Sequence, residues 1–274
     1  MSLVHRILRK PFFGRFEVPW QFPREVDAGV WERVSFQSTS GAHLAGLIGE
    51  ALTGAPAGAL VLAHPMGKAA KGFWLRYGHA ELFRRAGFHV LAFDFNGFGE
   101  SEPISFDYPG DAVAAGRFMR DRYPMLNVGL VGASAGAGWG LCGMARDDSP
   151  YRAAVFEAVF TSLPEFWRHY PAAYAFLRAS QLVMPSIERR IRPEHYASRL
   201  VGRPAVLLIY GDADRFTPPT QGKRMLHALN QSATAELHVL PNVDHTYAYR
   251  DLPEAYAQRV LPFLRRALAV ANAT

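Results

Sequence analysis

Three residue types in this chain are placed where together they could carry out acyl chemistry: a serine, a carboxylate and a histidine, each following a separate apolar run. The serine is Ser134, centred in Gly132-Ala133-Ser134-Ala135-Gly136, between a β-branched run at 128–131 and a helix-like stretch. A serine there would stand on a sharp strand-to-helix turn, its hydroxyl exposed and the amide of Ala135 free to meet an oxyanion. Gly132 and Gly136 would let the strand and helix backbones pass closely, and Ala133 and Ala135 add little bulk. Taken alone, the pentapeptide fits a tight turn packed under a helix equally well.

The carboxylate is Asp212 or Asp214, both just past the apolar run at 205–210. The carboxyl end of a parallel strand is where catalytic groups gather in an open sheet, although aspartates in turns also bond their own backbone. His245 follows the run at 235–240 in a polar loop before the last helical stretch. The chain has ten histidines, and a lone loop histidine is ordinarily a surface residue; order is what separates His245 from the others. Serine, acid, histidine is the chain order that accompanies this pentapeptide. A serine hydroxyl is a weak nucleophile until a histidine takes its proton, and the acid fixes the histidine tautomer and stabilises the imidazolium. A second oxyanion donor is expected after the run at 59–63, where the chain reads His64-Pro65-Met66-Gly67. The amides of Met66 and Ala135 would converge on the oxyanion, and the His64 side chain reads as a structural tie.

The elements needed to position these groups are legible as an alternation. Apolar, β-rich runs at 31–36, 42–48, 59–63, 88–93, 128–131, 153–160, 205–210 and 235–240 are interleaved with helical stretches near 74–86, 108–122 and 253–270. That pattern predicts an α/β fold, a mostly parallel eight-stranded sheet with helices on both faces. The first two runs read as an antiparallel pair joined around Ser40-Gly41. Residues 161–202 put about forty residues between two strands, which predicts a small helical cap inserted in a domain spanning 31–274. Its aromatic residues Phe166, Trp167 and Tyr170 would line a substrate site or pack the cap itself, and Arg189, Arg190 and Arg192 could receive an anionic group.

Composition narrows the classes. With 274 residues, 49% hydrophobic and 20% charged, the chain can build its own core. No apolar run approaches the roughly 18 to 20 residues of a membrane span. The net charge of +6 comes almost wholly from dispersed arginines, without a zinc-finger, RNA-recognition or helix-turn-helix pattern, so no nucleic-acid partner is expected. Cys142 is the only cysteine: no intrachain disulfide can form, no cysteine-based metal site exists, and the residue reads as core packing. No metal or cofactor is expected, and cysteine poverty suits the cytoplasm. Residues 1–30 read as an N-terminal extension. Its first sixteen residues mix Arg6, Arg9, Lys10 and Arg15 with apolar side chains, either folding onto the protein surface or making a peripheral, non-inserted membrane contact as an amphipathic helix.

From about Trp31 onward the chain resembles the α/β-hydrolase superfamily. The resemblance rests on His64-Pro65-Met66-Gly67, on Asp94-Phe95-Asn96-Gly97-Phe98-Gly99-Glu100-Ser101, on the pentapeptide around Ser134, and on residues 211–218 together with His245. In that superfamily the oxyanion loop usually reads His-Gly; here proline stands in place of the glycine. Proline removes a donor, but the implied donor is the next residue, Met66. The superfamily places its acid three residues after the glycine, which selects Asp214. Gly97 and Gly99 are implied to be structural. A serine at 134, where dehalogenase and epoxide hydrolase relatives need aspartate, aligns the chain with esterases, lipases, thioesterases and peptidases. The implied activity is hydrolysis of a small-molecule carboxylic ester or related acyl compound through an acyl-enzyme, as in carboxylesterases. Acyl transfer or thioester cleavage on the same triad is the alternative, and a non-catalytic binding module the second.

Overall fold

A computed structural model describes residues 18–183 and 185–269; the basic segment at 1–16, with its alternative of a membrane-surface helix, lies outside them. Eight strands form one sheet: β1 (Glu32–Gln37), β2 (His43–Gly49), β3 (Gly58–Ala63), β4 (Phe88–Phe93), β5 (Val128–Ala133), β6 (Tyr151–Glu157), β7 (Ala205–Gly211) and β8 (Thr234–Leu240). Their order is β1-β2-β4-β3-β5-β6-β7-β8. β2 is antiparallel to both β1 and β4, and every other pairing is parallel. β3, β4 and β5 are buried at every position, because helices cover both faces; their sequences are therefore continuously apolar rather than alternating.

The helices are α1 (Gly72–Arg76), α2 (His79–Arg85), α3 (Tyr108–Arg122), α4 (Ala135–Met144), α5 (Leu163–Phe166), α6 (Pro171–Val183), α7 (Pro185–Arg190), α8 (Pro193–Tyr196), α9 (Pro219–Leu229), α10 (Ala248–Asp251) and α11 (Pro253–Leu268). Apolar side chains of α3, α4 and α9 pack one face of the sheet. Those of α1, α2 and α11 pack the other. The strands feed both layers alternately: Val128 and Leu130 of β5 join the first core, Val131 and Ala133 the second. Asp107 caps α3 by accepting the Gly110 amide at 3.2 Å, with Pro109 in the first turn, a pairing that sets the start of the helix. Cys142 is buried in α4, where burial pushes its thiol well up.

Three expectations about elements are corrected. The single helix near 74–86 is two, broken where Gly78 adopts a left-handed φ of 79°. The strand expected to run to residue 160 ends at Glu157, because Ala158 turns to φ 53°. A helix absent from the sequence reading, α9, joins β7 to β8. Between β6 and β7 lie α5 to α8 and a short 3-10 turn.

Candidate active site

The sheet order changes direction at β3, which has β4 on one side and β5 on the other. Such a switch point opens a crevice at the carboxyl ends of the strands, and Met66 and Ser134 emerge there. Ser134 stands at φ 49°, ψ −112° between β5 and α4, a conformation that costs a non-glycine residue about 1–3 kcal/mol and persists only where its surroundings impose it. They do so here by two bonds. The Ser134 amide donates to the Glu157 carbonyl at 2.9 Å, and its carbonyl accepts from the Gly138 amide at 2.9 Å. Both flanking glycines are sterically required: a Cβ on Gly132 would fall 2.7 Å from Ala137 Cα, and one on Gly136 2.0 Å from the Ala63 carbonyl oxygen.

Around that turn the structure brings together the three residues singled out in sequence. His245 Nε2 lies 2.8 Å from Ser134 Oγ, and Nδ1 lies 2.7 Å from Asp214 Oδ2. In the tautomer this requires, Nδ1–H donates to Asp214 and Nε2 accepts the serine hydroxyl. Asp214 is buried and its remaining lone pairs are engaged. The Phe216 and Thr217 amides donate to Oδ1 at 2.8 and 3.0 Å, and the Thr217 hydroxyl donates to Oδ2. Burial alone would raise the Asp214 carboxyl; the bonds from His245 and Thr217 outweigh it and hold it below the usual carboxylate range. Asp212 is directed elsewhere and accepts the Asn242 amide at 2.6 Å, which makes it a turn residue.

The loop after β3 holds Met66, whose amide is expected as a second oxyanion donor. Met66 lies outside helix and strand, and among the described residues its amide has no hydrogen-bond acceptor. Ala135 is the first residue of α4, so its amide has no partner within the helix. His64 is wholly buried; it donates from Nδ1 to the Pro65 carbonyl at 2.8 Å and accepts the Phe95 amide at Nε2 at 3.2 Å. Burial lowers its pKa and keeps it a neutral tie. The loop ends on Lys71, whose buried ammonium meets Asp94 at 2.5 Å and Glu100 at 2.7 Å and lies 3.9 Å from the centre of the Trp20 ring. Gly99 wraps this clamp, since a Cβ there would sit 2.2 Å from Asp94 Oδ2. The 94–101 segment therefore braces the loop that carries Met66.

Ser134, Ala135 and His245 open into a cleft of about 370 Å³. Met66, Ala70, Phe73, Tyr77, Phe160, Leu163, Phe166, Trp167 and Tyr247 line it. The Phe166 ring lies 5.3 Å from that of His245 and stacks on Phe216. Phe166 and Trp167 thus reach the site. Tyr170 does not line it: it is 43% exposed and packs behind, against Trp167 and Phe216. Arg189, Arg190 and Arg192 do not line it either; its one lysine or arginine is Lys68. Phe73, Tyr77, Phe160, Leu163 and Tyr247 were not picked out in sequence, although Tyr247, two residues past His245, could have been. Among the described residues, no group of three or more His, Cys, Asp or Glu is placed to hold a metal ion, and no helix is long and apolar enough to cross a membrane.

The model of the prolyl oligopeptidase family matches residues 109–271. No curated protein matches the chain in sequence. Among solved structures, an esterase from Pyrococcus furiosus superposes with a TM-score of 0.71 at 18% identity, over 92% of this chain and 99% of the esterase. An acylaminoacyl peptidase from Pyrococcus horikoshii gives 0.66 at 16% identity, over 87% of this chain and 42% of the peptidase. An α/β hydrolase from a Penicillium species gives 0.65 at 18% identity, over 88% of this chain and 99% of that one. These likenesses establish the fold as that of α/β hydrolases.

Proposed function

Because the chain belongs to the prolyl oligopeptidase family and is a serine hydrolase in fold and family, we propose that it cleaves a carboxylic ester or related acyl compound with a bulky apolar group. The observation that carries this reading is the pair of His245 contacts, 2.8 Å to Ser134 Oγ and 2.7 Å to Asp214 Oδ2. Ser134 Oγ attacks the acyl carbonyl while His245 Nε2 takes its proton, and Asp214 holds Nδ1–H and stabilises the imidazolium. The Met66 and Ala135 amides receive the oxyanion, each such donor supplying about 3 to 4 kcal/mol in measured systems. His245 returns the proton to the leaving group, and a water activated by the same imidazole releases the acid. Segment 161–202 acts as a cap whose α5 supplies Phe166 and is followed by Trp167.

Ester chemistry is favoured over amide by the near-complete overlap with the Pyrococcus furiosus esterase, 92% and 99% of the two chains. Cleavage of an aminoacyl amide is the second reading, favoured by the family match. A panel of p-nitrophenyl esters of graded acyl length, run beside a thioester and an aminoacyl p-nitroanilide, separates them. The expected result is the highest kcat/KM on an ester with an aryl or medium-length acyl group. A higher kcat/KM on the anilide would make the protein a peptidase instead.

A further inference from the structure

Glu157 ends β6 in the middle of the sheet, between Ala133 of β5 and Ile209 of β7. It is 3% exposed. A carboxyl group is costly at such a place unless its bonds or its charge are used, and those of Glu157 meet both halves of the site. Its backbone carbonyl receives the Ser134 amide at 2.9 Å. Its Oε1 receives the Ala248 amide at 2.9 Å, three residues past His245. Oε2 is buried with no hydrogen-bond partner among the described residues, and so is the hydroxyl of Tyr256 in α11.

We propose that Glu157 is a positioning residue for His245: it ties the histidine loop to the nucleophile turn, and its ionised carboxylate favours the imidazolium formed when Ser134 attacks. This rests on the serine hydrolase reading above. In that step the serine proton moves to His245 Nε2 as the Oγ–carbon bond forms, and Glu157 neither gives nor takes a proton. The charged and titratable groups acting on it are His245 and Asp214, Asp251 at the end of α10, and Tyr256. Burial pushes the Glu157 carboxyl up to about 7, the Ala248 amide and His245 oppose that rise, and Asp214 and Asp251 add to it. Its charge therefore appears over the pH range in which a histidine base becomes active.

Three proteins test this: wild type, Glu157→Gln, which keeps shape and an acceptor for Ala248 but has no charge, and Glu157→Ala, which has neither. The rate of fluorophosphonate labelling of each is measured from pH 5 to 9. For Glu157→Gln the alkaline plateau is expected to fall about five- to tenfold and the acid limb to move to lower pH by about half a unit or more, since a tenfold effect corresponds to one pKa unit. Glu157→Ala falls further. A Glu157→Gln profile that superimposes on wild type, or drops uniformly with its acid limb unmoved, overturns the proposal while leaving the nucleophile in place. Labelling that is equal in wild type and Ser134→Ala overturns the hydrolase reading and this proposal with it. In wild type alone, carbon NMR of the glutamate carboxyl groups should show one ionising near pH 7; a glutamate carboxyl that stays protonated up to pH 9 overturns the charge role even if both variants misfold.

Discussion

Lys71 Nζ lies 2.5 Å from Asp94 Oδ2 with both side chains wholly buried, and this pair fastens the end of the Met66 loop to the segment after β4. The Lys71 amide adds a second bond to the same carboxylate at 2.8 Å. Removing one partner of a buried pair strands the other charge, at a cost of about 3–5 kcal/mol. Lys71→Met is therefore expected to lower the midpoint of urea unfolding by a corresponding amount and to reduce kcat more than it raises KM. An unchanged midpoint would mean that Asp94 is supported without the lysine.

Asp214→Asn keeps the shape of the acid but favours the wrong histidine tautomer. A loss of about 10³–10⁴ in kcat with little change in KM is expected from that cause. Because the folded state holds this carboxyl below its ordinary range, its contribution to stability is present above the unfolded pKa, about 3.9, and is lost as pH falls through the folded value. Denaturant unfolding from pH 6 down to pH 3 should show wild type losing more stability than Asp214→Asn.

Glu157 has the opposite sign. Its carboxyl is raised from 4.5 to about 7, so the folded protein binds a proton that the unfolded chain has released. The stability this contributes is complete below about pH 4.5 and is lost as pH rises through 7, on the order of 3 kcal/mol in all. Glu157→Gln cannot lose it. The melting temperature of the variant, taken relative to wild type at the same pH, should rise between pH 5 and pH 9; a constant difference would place the carboxyl in an ordinary environment.

The cleft wall gives a paired expectation. Trp167 lines the cleft and Tyr170 packs behind it. Burying a large apolar side chain is worth roughly 1.5–3 kcal/mol, so Trp167→Ala should cut kcat/KM on an aryl ester about tenfold or more, and on acetate much less. Tyr170→Ala should leave both within about twofold, and a large loss there would move the substrate toward the solvent side of the cap.

The legible parts of this chain were those where one residue or one short run carries its own physical constraint. The continuous apolar runs of β3, β4 and β5 could only be strands covered on both faces. Gly132 and Gly136 marked a close crossing, and the order of Ser134, Asp214 and His245 marked where side chains would meet. What failed to show depended on contacts between distant segments. α9 is one such element: Pro219 is its first residue, and Gly222 lets the helix approach Tyr210, whose ring a Cβ would meet at 2.9 Å. The helical pattern around Gly78 gave no hint that its backbone would turn left-handed. Phe73, Tyr77, Phe160, Leu163 and Tyr247 come from separate stretches and line one cleft only when the sheet is assembled. Glu157 looked like part of a buried strand, because its role depends on Ser134 before it and Ala248 far after it.

The central claim is that Ser134 is a nucleophile activated by His245. Incubation with a fluorophosphonate followed by intact-protein mass spectrometry tests it most directly. Wild type should gain one adduct, mapped to the peptide holding Ser134, with His245→Ala slowed by several orders of magnitude and Ser134→Ala unlabelled. Equal labelling of wild type and Ser134→Ala, or an adduct on another serine, would contradict the account.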